Sequence, residues 1–392
     1  MKKIFIQLST LLSLLIMFSC TNTNTNDGSW LDNSISVAST QLKMQIEEMG
    51  DKKAFPRSIR ADTLRLDNIY DWTSGFFPGS LWYMYELTGD EYFKNEASKF
   101  TGYLHDLRYY RNTHDLGFMV YCSYGNALRL TQDESVVPIM IETADNLISR
   151  YNDTTKTIRS WDFGEWEYPV IIDNMMNLEL LFWASEFTSD PKYKEIAIKH
   201  ANTTLEHHFR NNMSSYHVID YDTITGDVIS KETFQGFSDD SFWARGQAWG
   251  LYGYTVCYRF TKDNKYLEAA NNIANFIIDN VKTHDLIPYW DYVAPDIPNA
   301  PRDASAAAIT SSALLELKNY VDGDLSKTYF EYAETIIKNL SSSAYIAKPH
   351  ENFGFVLMHS VGHLPANSEI DTPINYADYY YLESLSRYRK AK

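Results

Sequence analysis

With 392 residues, 44% of them apolar and 15% aromatic, the chain can bury one large core and is not a disordered protein. Its 51 acidic residues against 35 basic ones give a net charge of −16, which excludes nucleic acid, or a long polyanion gripped along the whole surface. A small anionic ligand held by one or two local cations is compatible with that charge.

The first predicted element is a leader over residues 1–19. Lys2 and Lys3 precede an apolar run from Ile4 to Phe18, too short to span a bilayer, and Ser19 and Cys20 follow it. A cysteine directly after such a run and a small residue resembles a bacterial lipoprotein cleavage box. Cys20 is therefore expected to carry lipid and to anchor the protein in the cell envelope, facing the periplasm. No other membrane contact is expected. Residues 20–34, with the tract TNTNTNDGS, read as a polar tether, and 35–392 as a single catalytic domain.

Beyond the tether the pattern is helical and repetitive. A helix is predicted over 35–49. Four later segments, at 85–97, 128–140, 185–197 and 258–270, each close an apolar helical run with Thr-x-Asp and start a second helix, and 318–333 is a degenerate fifth copy. Threonine and aspartate at such a step stop one helix and cap the next. The first helix of each unit is rich in Gly, Ala, Leu and aromatics; the second is amphipathic and reads as an outer helix. Five hairpins, with 35–49 and 376–391 pairing across the termini as a sixth, make an all-α (α/α)6 barrel, a six-hairpin toroid. Its pocket is expected where the inner helices begin.

Polar residues gather at those beginnings: Asp71-Trp72, His114-Asp115, Asp173-Asn174, Trp243-Ala244-Arg245, Arg302-Asp303 and Tyr376-Ala377-Asp378. An aspartate before a helix is ordinarily a cap or half of a structural ion pair, and Asp71, Asp303 and Asp378 are read so. Asp115 follows a histidine that a cap does not need, and Asp173 follows the strand-like Val170-Ile171-Ile172. These two are the candidate catalytic carboxylates, because in a partly dry pocket two carboxylates repel and one keeps its proton for acid–base work. Asp173 is expected to hold that proton, sustained by an ionised Asp115. The stretch 233–253, TFQGFSDDSFWARGQAWGLYG, is then the loop and inner-helix start of one unit facing the same mouth. His359 and His363 have helical spacing, but Gly362 and Pro365 make the segment a loop, so no metal or other cofactor is expected. Cys122 and Cys257 read as buried free thiols.

Six segments, HDLGF (114–118), IDNMMNL (172–178), QGFSDDS (235–241), WARGQAW (243–249), YWD (289–291) and RDASA (302–306), together resemble the unsaturated glucuronyl hydrolase family, bacterial enzymes with an (α/α)6 barrel. The resemblance implies a di- or oligosaccharide substrate whose non-reducing uronyl sugar carries a 4,5 double bond left by a polysaccharide lyase. It implies Asp173 as proton donor and water activator and Asp115 as the second essential carboxylate, with His114 as its partner. It further implies that His217 and Gln235 hold the sugar and the attacking water, that Trp72, Trp161, Trp243 and Trp249 are platforms or walls, and that Arg245 lies near the uronate. Heparin or heparan, chondroitin and hyaluronan products all remain open as its source. Two other readings stand beside this one: a relative acting on unsaturated rhamnogalacturonyl fragments of pectin, and a non-catalytic sugar-binding lipoprotein.

Overall fold

The computed structural model describes residues 29–392; the leader, Cys20 and the first part of the tether lie outside the described residues. Twelve α-helices follow in order: α1 (Ser29–Met49), α2 (Phe76–Thr88), α3 (Glu91–Tyr103), α4 (Asn126–Thr131), α5 (Val137–Ile148), α6 (Asn174–Thr188), α7 (Pro191–His207), α8 (Ala244–Thr261), α9 (Asn264–Asn280), α10 (Ala304–Leu317), α11 (Gly323–Leu340) and α12 (Asn375–Ala391). A π-helix, Gly117–Gly125, runs directly into α4. Helix α1 starts at Ser29, six residues before the expected boundary. Leu31 is buried there and the Trp30 ring lies 5.3 Å from Tyr388 of α12, so apolar contact with the last helix continues α1 into the tether.

The inner ring consists of α2, the π-helix with α4, α6, α8, α10 and α12. Each packs on the next, and α12 closes the ring by packing on both α10 and α2. Every residue of α10 is buried, which explains its run of Ala, Ser and Leu without a polar face. On the outside, α9 buries only Tyr266, Ala269, Ala270, Ile273, Ala274, Phe276 and Ile277, a single stripe at helical spacing.

The Thr-x-Asp steps do what their chemistry dictates. Asp90, Asp133, Asp190 and Asp263 each accept from the backbone N–H two residues on, at 3.0 to 3.1 Å. The preceding threonine hydroxyl accepts from the aspartate N–H at 3.2 Å in all four. The residue between them adopts positive φ, between 58° and 69° in three of the turns and 56° at Lys262, although only Gly89 is a glycine. In the degenerate copy Asp322 caps nothing with its side chain.

The barrel is not wholly helical. Its loops at the mouth carry seven short strands among the described residues: β1 (Phe55–Arg60), β2 (Thr63–Asp67), β3 (Tyr151–Asn152), β4 (Thr157–Ile158), β5 (Pro169–Ile171), β6 (Val218–Tyr221) and β7 (Val228–Glu232). Strands β5, β6 and β7 form an antiparallel sheet in that order. The apolar step before Asp173 is thus a strand, as its composition suggests.

Candidate active site

Asp115 and Asp173 enter the mouth from neighbouring inner helices, and the sequence explains why they can approach. Gly117 lies against α6 so closely that a Cβ there would stand 2.6 Å from the Cα of Asn177. Asn177 Oδ1 in turn accepts from the Phe118 N–H at 2.9 Å, tying the start of the π-helix to α6. The π-helix itself begins two residues after Asp115, a distortion that commonly marks functional positions.

Asp173 occupies the N-cap position of α6, yet its side chain makes no capping bond. Asp303, at the same position of α10, caps normally, accepting from the Ser305 N–H at 3.0 Å. Asp71 accepts from the Thr73 N–H at 2.9 Å and pairs with Arg57 at 2.6 Å. Asp378 does not cap its own helix; it accepts two backbone N–H bonds at 2.8 Å from Val356 and Leu357. Of the inner-helix aspartates, Asp173 is the one whose position invites a cap and whose side chain is held back for something else.

Burial is the first cause of the raised pKa of both candidate carboxyls, each pushed from 3.8 up to about 7. For Asp173 the guanidinium of Arg245 opposes that rise and the charge of Asp115 adds to it; for Asp115 the Thr113 hydroxyl opposes it and Asp71 adds to it. The charge of Asp115 thus favours the protonated form of Asp173, in the direction expected, but it is not the largest cause. Exclusion of water does most of the work, and Asp115 is itself a weak acid.

Two histidines fix how each carboxyl is met. His114 Nδ1–H donates to the Ser160 carbonyl at 3.0 Å, and burial lowers this imidazole to about 3, so the neutral ring turns a bare Nε2 toward Asp115 Oδ1, 3.1 Å away. A protonated Asp115 suits that lone pair. His217 is the mirror case. Its Nδ1 accepts from the N–H groups of Phe234 and Gln235 at 3.0 and 3.1 Å, and burial holds it well below its usual range. Its proton is on Nε2, which faces Asp173 Oδ2 at 3.7 Å. Sheet pairing sets this distance, since the Ile172 N–H donates to the His217 carbonyl at 3.0 Å immediately before Asp173. Asp173 Oδ2, His217 Nε2, Trp249 Nε1 and Arg245 Nε are buried without a hydrogen-bond partner among the described residues. A polar ligand entering the mouth would satisfy them.

Each of the four tryptophans that the resemblance singles out packs against other rings. Trp243 packs 4.6 Å from the His217 ring, and the Arg245 guanidinium lies 4.5 Å over Trp243. Trp249 forms the floor with Phe118 and Tyr380, at 5.0 and 5.4 Å. Trp72 stands 5.1 Å from Tyr376 and 5.6 Å from Phe118, and Trp161 lies 5.7 Å from His217 on the outer lip.

Arg245 and Gln235 are more committed than the sequence suggests. Arg245 donates through Nη1 to Asp303 Oδ2 at 3.3 Å and to the Val361 carbonyl, and through Nη2 to the Gly362 carbonyl at 2.7 Å. A two-pronged grip on a uronate is not open to it, because both prongs hold the 361–362 loop. Gln235 Nε2 donates to the Gly362 carbonyl at 3.1 Å, which leaves its amide oxygen for a ligand. The sequence reading passed over the tie made by Asn177; its only trace is a polar residue within an apolar inner helix. It also passed over the clasp of Arg57 and Arg65 on Glu369, at 2.7 and 3.0 Å, which pins the same loop to β1 and β2 from 300 residues away. Among the described residues no group of three or more His, Cys, Asp or Glu side chains is disposed to hold a metal ion.

Residues 45–342 match the family described as Glycosyl Hydrolase Family 88, and residues 1–67 match a domain of unknown function. An unsaturated glucuronyl hydrolase of Formosa agariphila is 50% identical over 85% of this chain and 84% of its own. An unsaturated chondroitin disaccharide hydrolase of Streptococcus agalactiae is 32% identical over 92% of each chain. The crystal structure of an unsaturated glucuronyl hydrolase specific for heparin superposes with a TM-score of 0.91 at 51% identity, covering 93% of this chain and 98% of that one.

Proposed function

The chain belongs to Glycosyl Hydrolase Family 88, a family of glycoside hydrolases, and on that premise we propose that it releases the 4,5-unsaturated glucuronic acid from the non-reducing end of glycosaminoglycan-derived oligosaccharides. The observation that carries the reading is the uncapped, buried Asp173, raised to about 7 and facing His217 Nε2–H. Products of heparin-type polymers come first as substrates, because the heparin-specific structure shares 51% of its sequence with this chain and the chondroitin disaccharide hydrolase 32%.

An enol ether needs no conventional pair of glycosidase carboxylates. Asp173 gives its proton to C4, and positive charge develops at C5 and the ring oxygen. Water held by the His217 N–H and the Gln235 amide oxygen adds at C5 and returns a proton to Asp173. The resulting hemiketal opens and expels the rest of the oligosaccharide. Asp115, met by the bare Nε2 of His114, is the second carboxyl of the pocket, and the charge it carries favours the protonated form of Asp173. The stacked Trp243 and Arg245 bound the sugar opposite.

Loss of the enol-ether ultraviolet band on unsaturated heparin disaccharides is the expected result, with one solvent deuterium at C4 when the reaction runs in heavy water. Turnover of unsaturated rhamnogalacturonyl substrates alone would favour the pectin-directed reading, and tight binding of sugars without turnover the non-catalytic one. We also propose that Cys20 carries the lipid that holds the enzyme to the envelope, on the periplasmic side. The Phe18-Ser19-Cys20 step supports this. Mass spectrometry of the membrane fraction should find a diacylglyceryl-modified N-terminus, and a soluble product cleaved elsewhere would remove the anchor.

A further inference from the structure

Trp161 is the inner end of a larger aromatic surface. Phe163 stacks on it with ring centres 5.1 Å apart and planes 23° apart. Trp166 and Phe234 pack against it at 5.5 and 5.2 Å, and Phe234 meets the His363 ring at 4.6 Å. Despite these contacts Phe163 is 55% exposed and Phe234 37%. Rings held in fixed stacks while showing this much apolar face to water mark a binding surface rather than a core.

The surface is built, and its parts come from three separate loops. Gly164 has φ +89°, and a Cβ there would stand 2.5 Å from Trp166 Cε3, so the turn that lets Phe163 and Trp166 flank Trp161 requires glycine. Trp166 Nε1–H donates to Glu232 Oε2 at 2.8 Å, and His363 Nε2–H to the Phe234 carbonyl at 2.7 Å. The neighbouring cations are already engaged: Arg150 holds Asp162 with two bonds of 2.9 Å, and Arg159 lies 3.4 Å from the same carboxylate. The shelf begins beside His217, which faces Asp173, and runs outward.

We propose that Phe163 and Phe234 form a second leaving-group subsite, which stacks the sugar ring that follows the one resting on Trp161 in oligosaccharides longer than a disaccharide. The proposal rests on the hydrolase reading above and extends it from the sugar that is released to the chain that remains. A pyranose offers a flat C–H face to such rings, and with Arg150 and Arg159 occupied the shelf reads that face rather than a sulfate. Its effect is to favour tetrasaccharides over disaccharides.

The test compares kcat/KM for an unsaturated disaccharide and an unsaturated tetrasaccharide of the same heparin-type repeat. The tetrasaccharide-to-disaccharide ratio should fall about threefold to tenfold in Phe163→Ala, from the loss of one stacking contact. Gly164→Ala, which disturbs the shelf without removing a ring, should lower the ratio in the same direction, and Phe163→Tyr should restore it. A ratio unchanged in Phe163→Ala, or lowered equally in Phe163→Tyr, overturns the subsite. A parallel titration of tryptophan fluorescence with both sugars, in the Asp173→Asn background, separates the two readings. Tetrasaccharide binding that depends on Phe163, with neither sugar turned over by the protein that keeps Asp173, would sink the hydrolase and keep the shelf. Turnover with no dependence on length would do the reverse.

Discussion

The two ends of the barrel both bury carboxylates, and they treat them oppositely. At the mouth, Asp115 and Asp173 have no close cationic partner and stand at about 7. At the far end, where the inner helices finish, a cavity of about 560 Å3 is lined by Glu179, Glu316 and Glu383 together with Arg129, Arg259 and Arg387. There Arg259 bonds Glu316 at 2.6 and 2.7 Å and also reaches Glu179, while Arg387 lies 3.3 Å from Glu383. Glu316 is held down at about 2. Phe76, Phe118, Trp249 and Tyr380 form an aromatic layer between the two ends, with neighbouring ring centres 5.0 to 6.0 Å apart. Desolvation operates at both ends. A guanidinium in reach makes a structural ion pair, which holds Glu316 down although burial still raises Glu179; without one, the mouth keeps acids that can give a proton at neutral pH.

The largest expected effect comes from removing the unpaired acid. Asp173→Asn should lower kcat by about a thousandfold or more, since the amide keeps the shape and loses the proton, while substrate still quenches tryptophan fluorescence. A rate within tenfold of wild type would take the acid role from Asp173.

The corresponding cut at the far end should cost stability and spare the chemistry. Arg259→Met leaves Glu179 without its cation and Glu316 with Arg387 alone, 3.1 Å away, and should lower stability by about 2 kcal/mol, a figure reduced from that of a fully buried pair because the arginine side chain is 27% exposed. The expected readout is a lower Tm with kcat/KM of the folded enzyme close to wild type.

Arg245 lies between these cases, because it holds a loop and also pulls the pKa of Asp173 down. Arg245→Met should lower kcat/KM by roughly tenfold, the loss of a charged hydrogen bond, and move the alkaline limb of the kcat profile to higher pH. A fall in activity without that shift would confine Arg245 to the loop.

The pH dependence of stability should carry opposite signs at the two ends. Asp115 and Asp173 have folded values raised from 3.8 to about 7, so the stability they contribute is fully present below 3.8 and is lost as pH rises toward 7. Glu316 has its value lowered from 4.5 to about 2, so its contribution is present above 4.5 and is lost as pH falls through 2. Asp115→Asn should therefore flatten the decline of Tm between pH 4 and 7, and Glu316→Gln the decline on the acid side. The smallest effect belongs to a region that serves neither end: Asp190→Ala removes one cap of an outer helix and should cost about 1 kcal/mol with activity intact.

Most of the helical layout was legible because it is written in local chemistry. The Thr-x-Asp steps are self-contained turns whose bonds link residues two to four apart, so they read the same in the chain as in the fold. The positive φ of Ser189 and Lys262 was not legible, since neither residue type asks for it. For the site, the sequence marked Asp115 and Asp173 by what surrounds them, an unneeded histidine and a strand before a helix. It could not show that Arg245 turns its prongs away from the pocket, because Asp303 and the 361–362 carbonyls lie 58 to 117 residues further on.

By itself, then, the sequence determined the six-fold helical repeat and singled out the inner-helix starts, with Asp115 and Asp173 as the two candidate carboxylates. Those follow from periodicity and from side chains that bond to their own neighbourhood. Only the tertiary structure decided which aspartates cap and which stay free, which imidazole nitrogen faces each carboxyl, and how dry the mouth is. Each of these depends on groups brought together from distant units, and acidity in particular is set by the water and charge that the packed barrel excludes or supplies.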